Sequence, residues 1–373
     1  MGSGYFDPGA YDDHVWTKAA SGKSTFDYSD SLTPGNRVVH PDLDPRWRNK
    51  AGLKIRESRD SAEHPESTPI VVVLDVTGTM SNVVGAIHSS LKNLYNLLLQ
   101  KGYVQHPQIM FMAIGDSQIT AGRMCDEVPL QVGQFESDLR ATLQLETMVI
   151  EGGGGGQKSE SYQNAAYFLA EHTAHDAWDR RGKKGYAYFI GDELSWPNVE
   201  PAEIYALTGD VLAAPIPTAD LFARVKERYE TFFILPDGAH NGGDRQVLGF
   251  WRTLLGENVL QLSEPNGAAE LIALSIGTRE AVVDLDEGAQ HLADLGVDPS
   301  VRRAVVTALA KQPTTAVAQM TGALWPHRRP PPAASVVEKK PHPLPPPHRG
   351  GEGSMQSGSP SPSQCRGDTG APW

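Results

Sequence analysis

Three oxygen-bearing side chains stand at alternate positions in the segment Asp75-Val76-Thr77-Gly78-Thr79. One carboxylate and two hydroxyls are hard donors, which suit Mg²⁺ or a similar divalent ion better than a soft metal. Thr79 could instead cap a following helix, but capping alone does not require an aspartate together with two hydroxyls. The segment therefore predicts a site for Mg²⁺ or Mn²⁺ built on Asp75, Thr77 and Thr79.

A buried strand and an amphipathic helix flank this segment. Residues 70–74 form an unbroken, mostly β-branched apolar run, which is typical of a strand buried on both faces. From Ser81 onward apolar residues recur at helical spacing, and Gly102 follows where a helix would end. Ligands of parallel sheets bind beyond the carboxyl ends of the strands, and this is where Asp75 stands.

The same alternation of strand and helix continues over residues 69–277. It predicts an α/β fold with a doubly wound, mostly parallel sheet and helices on both faces. The further predicted strands are residues 108–114, 128–132, 185–190, 231–235 and 258–262. The further predicted helices are residues 135–146, a helix from Tyr162, and residues 221–228, 247–255 and 268–276.

Composition divides the chain of 373 residues into four parts. Residues 1–66 are polar and show little periodicity, which predicts an irregular N-terminal arm, and residues 67–278 hold the α/β domain. Residues 279–325 show a weaker helical pattern and predict a helical extension. Residues 326–373 are rich in proline, and such a composition predicts a disordered tail.

The overall charge and hydropathy narrow the range of partners. A formal net charge of −12 argues against nucleic acid or an anionic membrane as the main partner. The polar, acidic N-terminus has no apolar signal region, and no apolar run approaches the length of a membrane span. We therefore expect a cytoplasmic protein.

Two further acidic positions follow predicted strands. Residues 185–190 are followed by Gly191-Asp192-Glu193, and residues 108–114 are followed by Gly115-Asp116. Asp116 either lines the same cleft as Asp75 or caps a loop, and Glu193 either shapes a partner surface or is solvated. A glycine-rich run, residues 152–156, precedes the helix that begins near Tyr162, and this place favours a close approach of the backbone to the site.

These features together resemble the von Willebrand factor A family and its metal-ion-dependent adhesion site. The family places an aspartate and two hydroxyl residues after its first strand, as Asp75, Thr77 and Thr79 are placed here. It adds an aspartate from a third loop, which Asp192 matches. It also adds a threonine from a second, glycine-rich loop, and this threonine is missing. Ser159 is our candidate for the replacement, and Gln157 and Ser161 are open alternatives.

The resemblance implies metal-dependent protein binding in which no covalent bond is made or broken. The ion would be held by Asp75, Thr77, Thr79 and Asp192 with Ser159, and a partner protein would offer an acidic residue to its open position. Intracellular bacterial members of the family often act beside ring-forming AAA+ ATPases of the chaperone type, so such an ATPase is the partner that we expect by analogy.

The competing hypothesis is an enzyme. The segment from Asp75 to Thr79 also resembles the phosphorylated-aspartate motif D-K-T-G-T of the haloacid dehalogenase superfamily, in which the aspartate is a nucleophile beside Mg²⁺. Lys183 or Lys184, together with Asp192, would correspond to the motifs that this superfamily places later in its sequence. Val76 in place of the lysine departs from this pattern.

Overall fold

The structure is a computed structural model, and it describes residues 4–152, 158–237 and 239–311, apart from the side chain of Thr79. The predicted proline-rich tail, residues 326–373, lies outside the described residues. The last part of the predicted helical extension, residues 312–325, and Gln157 also lie outside them.

Within the described residues, six strands form the central sheet. They are β1 Thr68–Asp75, β2 Pro107–Ile114, β3 Leu130–Val132, β4 Gly185–Ile190, β5 Tyr229–Pro236 and β6 Val259–Leu262. Their order across the sheet is β6-β5-β4-β1-β2-β3. Neighbouring strands are parallel except β3, which runs antiparallel to β2. The predicted α/β class with a mostly parallel sheet is confirmed.

Helices occupy most of the remaining described chain. The α-helices are α1 Pro8–Ala20, α2 Asp27–Asp30, α3 Ser81–Tyr95, α4 Arg140–Glu146, α5 Tyr162–Glu171, α6 Asp176–Arg181, α7 Pro201–Thr208, α8 Thr218–Arg228, α9 Arg245–Leu255, α10 Ala268–Arg279, α11 Leu285–Asp294 and α12 Pro299–Ala310. A π-helical turn, Asn96–Gln100, continues α3. Single 3₁₀ turns are Pro41–Leu43, Gly78–Met80, Gly256–Asn258 and Pro265–Gly267.

Short strand pairs complete the described secondary structure. Two pairs are parallel, Arg56–Ser58 with Thr173–His175 and Ser159–Glu160 with Leu194–Ser195. Two are antiparallel, Asn198–Val199 with Ile216–Pro217 and Ile119–Thr120 with Arg123–Met124.

The central strand β1 explains why the sheet is covered on both faces. Alternate side chains of a strand point to opposite faces, and every residue of β1 is buried. Val71 and Val73 lie in one hydrophobic cluster with side chains of α5, α8 and α9. Val72 and Leu74 lie in another with side chains of α3 and α10. Full burial of one such aliphatic side chain contributes about 1.5–3 kcal/mol, so the continuous apolar run anchors the sheet between the helices.

One predicted helix begins later than expected. The sequence pattern predicts a helix over residues 135–146, but α4 begins at Arg140. The reason is a bridge between Glu136 and Ile109 of β2, in which each backbone N–H donates to the other residue's carbonyl at 3.0 and 2.8 Å. Pairing with the sheet therefore takes precedence over the local helical pattern.

The N-terminal arm is more ordered than the sequence predicts. It contains the 13-residue helix α1, whose start is capped by Asp7 through hydrogen bonds from the backbone N–H groups of Gly9 and Ala10. An aspartate followed by a proline is a recognised start signal for a helix. Leu43 is fully buried in the hydrophobic cluster beneath α3. The arm thus packs on the domain through defined structure.

Candidate functional site

Asp75 is the last residue of β1 and is only 1% exposed. Its Oδ1 accepts hydrogen bonds from the backbone N–H of Thr77 at 2.9 Å and from the Thr77 hydroxyl at 2.7 Å. Its Oδ2 accepts a hydrogen bond from the Tyr162 hydroxyl at 2.9 Å. The turn after β1 therefore folds back on Asp75, and the first residue of α5 fixes the other carboxyl oxygen.

Tyr162 is held in place by close packing around its ring. The ring contacts Trp251 edge-on, with 5.2 Å between ring centroids. A Cβ at Gly191 would lie 1.7 Å from the Tyr162 hydroxyl oxygen, so only glycine fits where β4 ends. Gly191 consequently allows α5 to approach the end of β4 and to present its hydroxyl to Asp75.

Glu160 is a member of this site that the sequence reasoning missed. It lies in the short strand Ser159–Glu160, and its Oε1 is 3.3 Å from the Thr77 hydroxyl. It is 2% exposed, and its Oε2 has no hydrogen-bond partner within the described residues. The sequence signal that could have identified it is an acidic residue in the loop after the glycine-rich run, just before the helix that begins at Tyr162.

The candidates for the missing threonine are placed differently. Ser159 precedes Glu160 in the same strand, and alternation directs their side chains to opposite sides. Ser161 accepts a hydrogen bond from the backbone N–H of Ser117 at 2.9 Å, so it contacts the loop after β2. The side chain of Thr79 and all of Gln157 fall outside the described part of the chain.

Asp192 and Glu193 follow β4, which lies beside β1 in the sheet. Asp192 is buried, and its Oδ2 accepts a hydrogen bond from the backbone N–H of Asn241 at 2.8 Å. Glu193 is half-buried, and its Oε2 is a buried oxygen without a hydrogen-bond partner in the described residues. Glu193 is therefore not simply solvated. Asp192 lies close enough to Asp75 for its negative charge to raise the pKa of Asp75, so the structure brings the two predicted aspartates together.

The carboxyl groups of this region disfavour one another's ionisation. Burial raises the pKa of Asp75 to about 7 although the hydrogen bonds from Thr77 lower it, and the charge of Asp192 raises it further. Burial, followed by the charges of Asp75 and Asp192, raises the pKa of Glu193 to about 8. Burial and the charge of Asp75 raise the pKa of Glu160 well above its usual range. Within the described residues, Asp75, Glu160 and Glu193 form no ion pair with a lysine or arginine.

Asp116 both caps a loop and belongs to the acidic region. Its Oδ1 accepts hydrogen bonds at 3.0 Å from the backbone N–H of Gln118 and from the indole N–H of Trp196. Its charge also contributes to the raised pKa of Glu160 and of Glu193. Asp116 therefore caps the loop and also lies close enough to Glu160 and Glu193 for its charge to act on them.

The lysines of the enzyme hypothesis lie elsewhere. Lys183 and Lys184 precede β4, whereas Asp75 stands at the opposite, carboxyl edge of the sheet. A strand of six residues spans about 20 Å at roughly 3.3 Å per residue. Lys183 pairs with Glu280 at 2.8 Å, and Lys184 donates to the carbonyl of Lys226 at 2.7 Å. The structure does not bring either lysine to Asp75.

The described residues lack two further features, a cluster of metal-binding side chains and a membrane-spanning helix. Residues 4–152, 158–237 and 239–311 contain no group of three or more His, Cys, Asp or Glu side chains arranged to hold a metal ion. This excludes a ready-made cage of such side chains in the described chain, but not a site that also uses hydroxyl oxygens. Among the helices described here, none has the length and apolar character needed to cross a membrane.

No model of a known protein family matches this chain, and no curated protein matches it. Among solved structures, it is similar to the pilus adhesin SpaC from Lactobacillus rhamnosus GG in its open conformation. The identity is 11%, the TM-score is 0.39, and the match covers 60% of this chain and 31% of the adhesin. Proximal thread matrix protein 1 from the mussel byssus matches at 13% identity and a TM-score of 0.38, over 58% of this chain and 48% of that protein. This chain thus spans less than half of either structure. Similarities this weak support no conclusion about its family or function.

Proposed function

We propose that this protein is a divalent-cation-dependent protein-binding module, built like a von Willebrand factor A domain. The observation that carries the proposal is the buried carboxyl group of Glu160 beside Asp75 and Glu193. Within the described residues, its Oε2 has no hydrogen-bond partner and no lysine or arginine pairs with these three acids, so the chain itself does not stabilise their ionised forms. Buried carboxylates are normally paired or bind a metal.

The donor atoms suit a hard ion such as Mg²⁺ or Mn²⁺. The residues that would hold it are Asp75, Thr77 and Asp192, all buried and all oxygen donors. Thr79 belongs to the same set by its place in the sequence. A bound ion would supply positive charge and a coordination position for a carboxylate of the partner protein.

The strand order supports this location. Successive strands run outward from β1 through β2 to β3 on one side and through β4, β5 and β6 on the other. This is the order expected of a doubly wound sheet, and its direction reverses between β1 and β4. Asp75 is the last residue of β1 and Asp192 follows β4, and ligands of such sheets bind at this reversal.

The nature of the partner and the location of the protein are part of the proposal. The carboxylate would come from a protein, and an AAA+ ATPase is the expectation by analogy with the resembled family. The cytoplasmic location rests on the sequence pattern alone.

The test is thermal unfolding of the wild type, of Asp75→Ala and of the control Asp220→Ala, an exposed aspartate. Each is measured with EDTA, Mg²⁺ and Mn²⁺. We expect both ions to raise the Tm of the wild type and of Asp220→Ala, but not of Asp75→Ala, because an ion that binds the native state stabilises it.

An unchanged wild-type Tm with either ion would overturn the proposal. Hydrolysis of a generic phosphate ester, measured in parallel, separates the enzyme hypothesis. Turnover that Asp75→Ala abolishes would favour a phosphohydrolase with Asp75 as its nucleophile.

A further inference from the structure

The carboxyl group of Glu160 is placed in the site by long-range pairing. The strand Ser159–Glu160 is parallel to Leu194–Ser195, with Glu160 opposite Ser195. The segment Leu194–Ser195 follows Asp192 and Glu193 directly in the chain. The pairing therefore holds Glu160 beside the loop that provides the second predicted aspartate.

One carboxyl oxygen of Glu160 is hydrogen-bonded within the site and, among the described residues, the other is not. Its Oε1 is 3.3 Å from the Thr77 hydroxyl, which is itself 2.7 Å from Asp75 Oδ1. Its Oε2 has no partner in the described residues although the side chain is 2% exposed. A carboxylate near the start of α5 gains some support from the helix dipole, but the dipole does not explain why acidic neighbours surround it.

We propose that Glu160 is a cation-binding residue, which supplies a carboxylate from the loop where the resembled family uses a threonine. This inference rests on the proposed function. It makes the donor set a mixed one, in which Glu160 adds a carboxylate to the hydroxyl of Thr77 and the carboxylate of Asp75. It assigns the role to Glu160 instead of its neighbour Ser159.

The test is the affinity of the full chain for Mn²⁺, measured by isothermal titration and by the EPR signal of free Mn²⁺. Glu160→Gln keeps the size of the side chain and removes its charge, and Ser159→Ala is the matched control one residue away. We expect Glu160→Gln to weaken Mn²⁺ binding at least tenfold and Ser159→Ala to change it less than twofold. Circular dichroism in EDTA checks that each variant is folded.

The outcomes separate the inference from the proposed function. If the wild type does not bind Mn²⁺, the proposed function itself fails. If the wild type binds and Asp75→Ala does not, but Glu160→Gln binds within twofold of the wild type, only the inference about Glu160 is overturned. Should Glu160→Gln not fold, Glu160→Asp takes its place. This variant keeps the charge on a shorter side chain, and we expect it to bind less tightly than the wild type; affinity within twofold of the wild type would overturn the inference.

Discussion

Two buried acidic centres of this molecule differ in how their charge is compensated. Glu146 of α4 accepts hydrogen bonds from His88 at 2.8 Å, from Lys18 at 2.7 Å and from His14 at 3.0 Å. Although burial raises its pKa, these contacts lower it to about 2. The pKa of Asp75 moves in the opposite direction, because burial raises it, the charge of Asp192 raises it further, and the hydrogen bonds from Thr77 and Tyr162 do not offset these effects.

The comparison shows that burial alone does not decide the state of a carboxyl group. Glu146 is 3% exposed and Asp75 is 1% exposed, yet within the described residues only Glu146 of the two forms an ion pair with a lysine of the chain itself. Lys18 and His14 lie on α1 and His88 lies on α3, so the compensated centre joins the arm to the domain. The uncompensated centre is the one at which we place an external cation.

Removing the compensated carboxylate should have the largest effect. Glu146→Ala leaves Lys18 with one of its two acidic partners and removes the acceptor of His88. Loss of one member of a buried ion pair is strongly destabilising, so we expect the free energy of unfolding to fall by about 3 kcal/mol. Urea unfolding measures this change, with the exposed Glu227→Gln as control. A loss below about 1 kcal/mol would contradict the role given to Glu146.

Neutralising the uncompensated centre should act differently. Asp75→Asn replaces a buried carboxyl group whose ionisation is already disfavoured and leaves one acceptor oxygen where Asp75 has two, so we expect a loss of no more than about 1 kcal/mol in EDTA. In Mg²⁺ at a hundredfold excess over the dissociation constant, the wild type should gain about 2.7 kcal/mol, and Asp75→Asn should gain none. Thermal unfolding in the two buffers measures both. Marked destabilisation of Asp75→Asn in EDTA would mean that Asp75 is compensated by its own chain.

Acid should weaken the compensated centre. The folded-state pKa of Glu146, about 2, lies below its ordinary value of 4.5. Its stabilising contribution is therefore complete above about pH 4.5 and is lost as the pH falls toward 2. The free energy of unfolding should fall more steeply in the wild type than in Glu146→Gln over this range, by up to about 1.4 kcal/mol per pH unit. Urea unfolding at several pH values measures this. An equal pH dependence of the free energy of unfolding in the two proteins would refute the prediction.

The smallest effect is expected for the hydrogen bond to Asp75 Oδ2. Tyr162→Phe removes the hydroxyl that donates to this oxygen and keeps the ring packed on Trp251. We expect a loss of about 1 kcal/mol in EDTA, the usual contribution of one hydrogen bond. The exposed Tyr205→Phe should change nothing. Equal stability of the two variants would show that the hydroxyl is dispensable.

The parts of the fold that the sequence predicts are those with a strong local pattern. The apolar runs of β1, β2 and β4 are continuous, and an aspartate stands at the end of β1 and just after β4, so strands and candidate residues could be found together. The helices on both faces of the sheet follow from the alternation, whereas the order of the strands comes from the structure. Local signals sufficed here because burial on both faces leaves little ambiguity.

The features that the sequence does not predict depend on contacts between distant segments. Glu160 reaches Thr77 because its short strand pairs with Leu194–Ser195. Glu136 leaves its helical pattern because it bridges to Ile109. No periodicity within a window of residues reveals such pairings. The sequence does not predict α1 for a different reason. Its apolar residues show little helical periodicity, so the only local signal is the Asp7-Pro8 start.

Arg56 of the arm is fully buried, and its guanidinium donates to the carbonyl oxygens of Val132 and Gly133, at the end of the outermost strand β3. It also donates to the carbonyl of Asp44 and stacks over Trp47, at 4.8 Å from the ring centroid. An outer strand with free backbone groups is a template for strands of other molecules. Because Arg56 of the arm occupies these two carbonyl oxygens, the arm protects the edge strand β3 from pairing with another molecule. A chain shortened to begin at β1 would leave these backbone groups of β3 exposed.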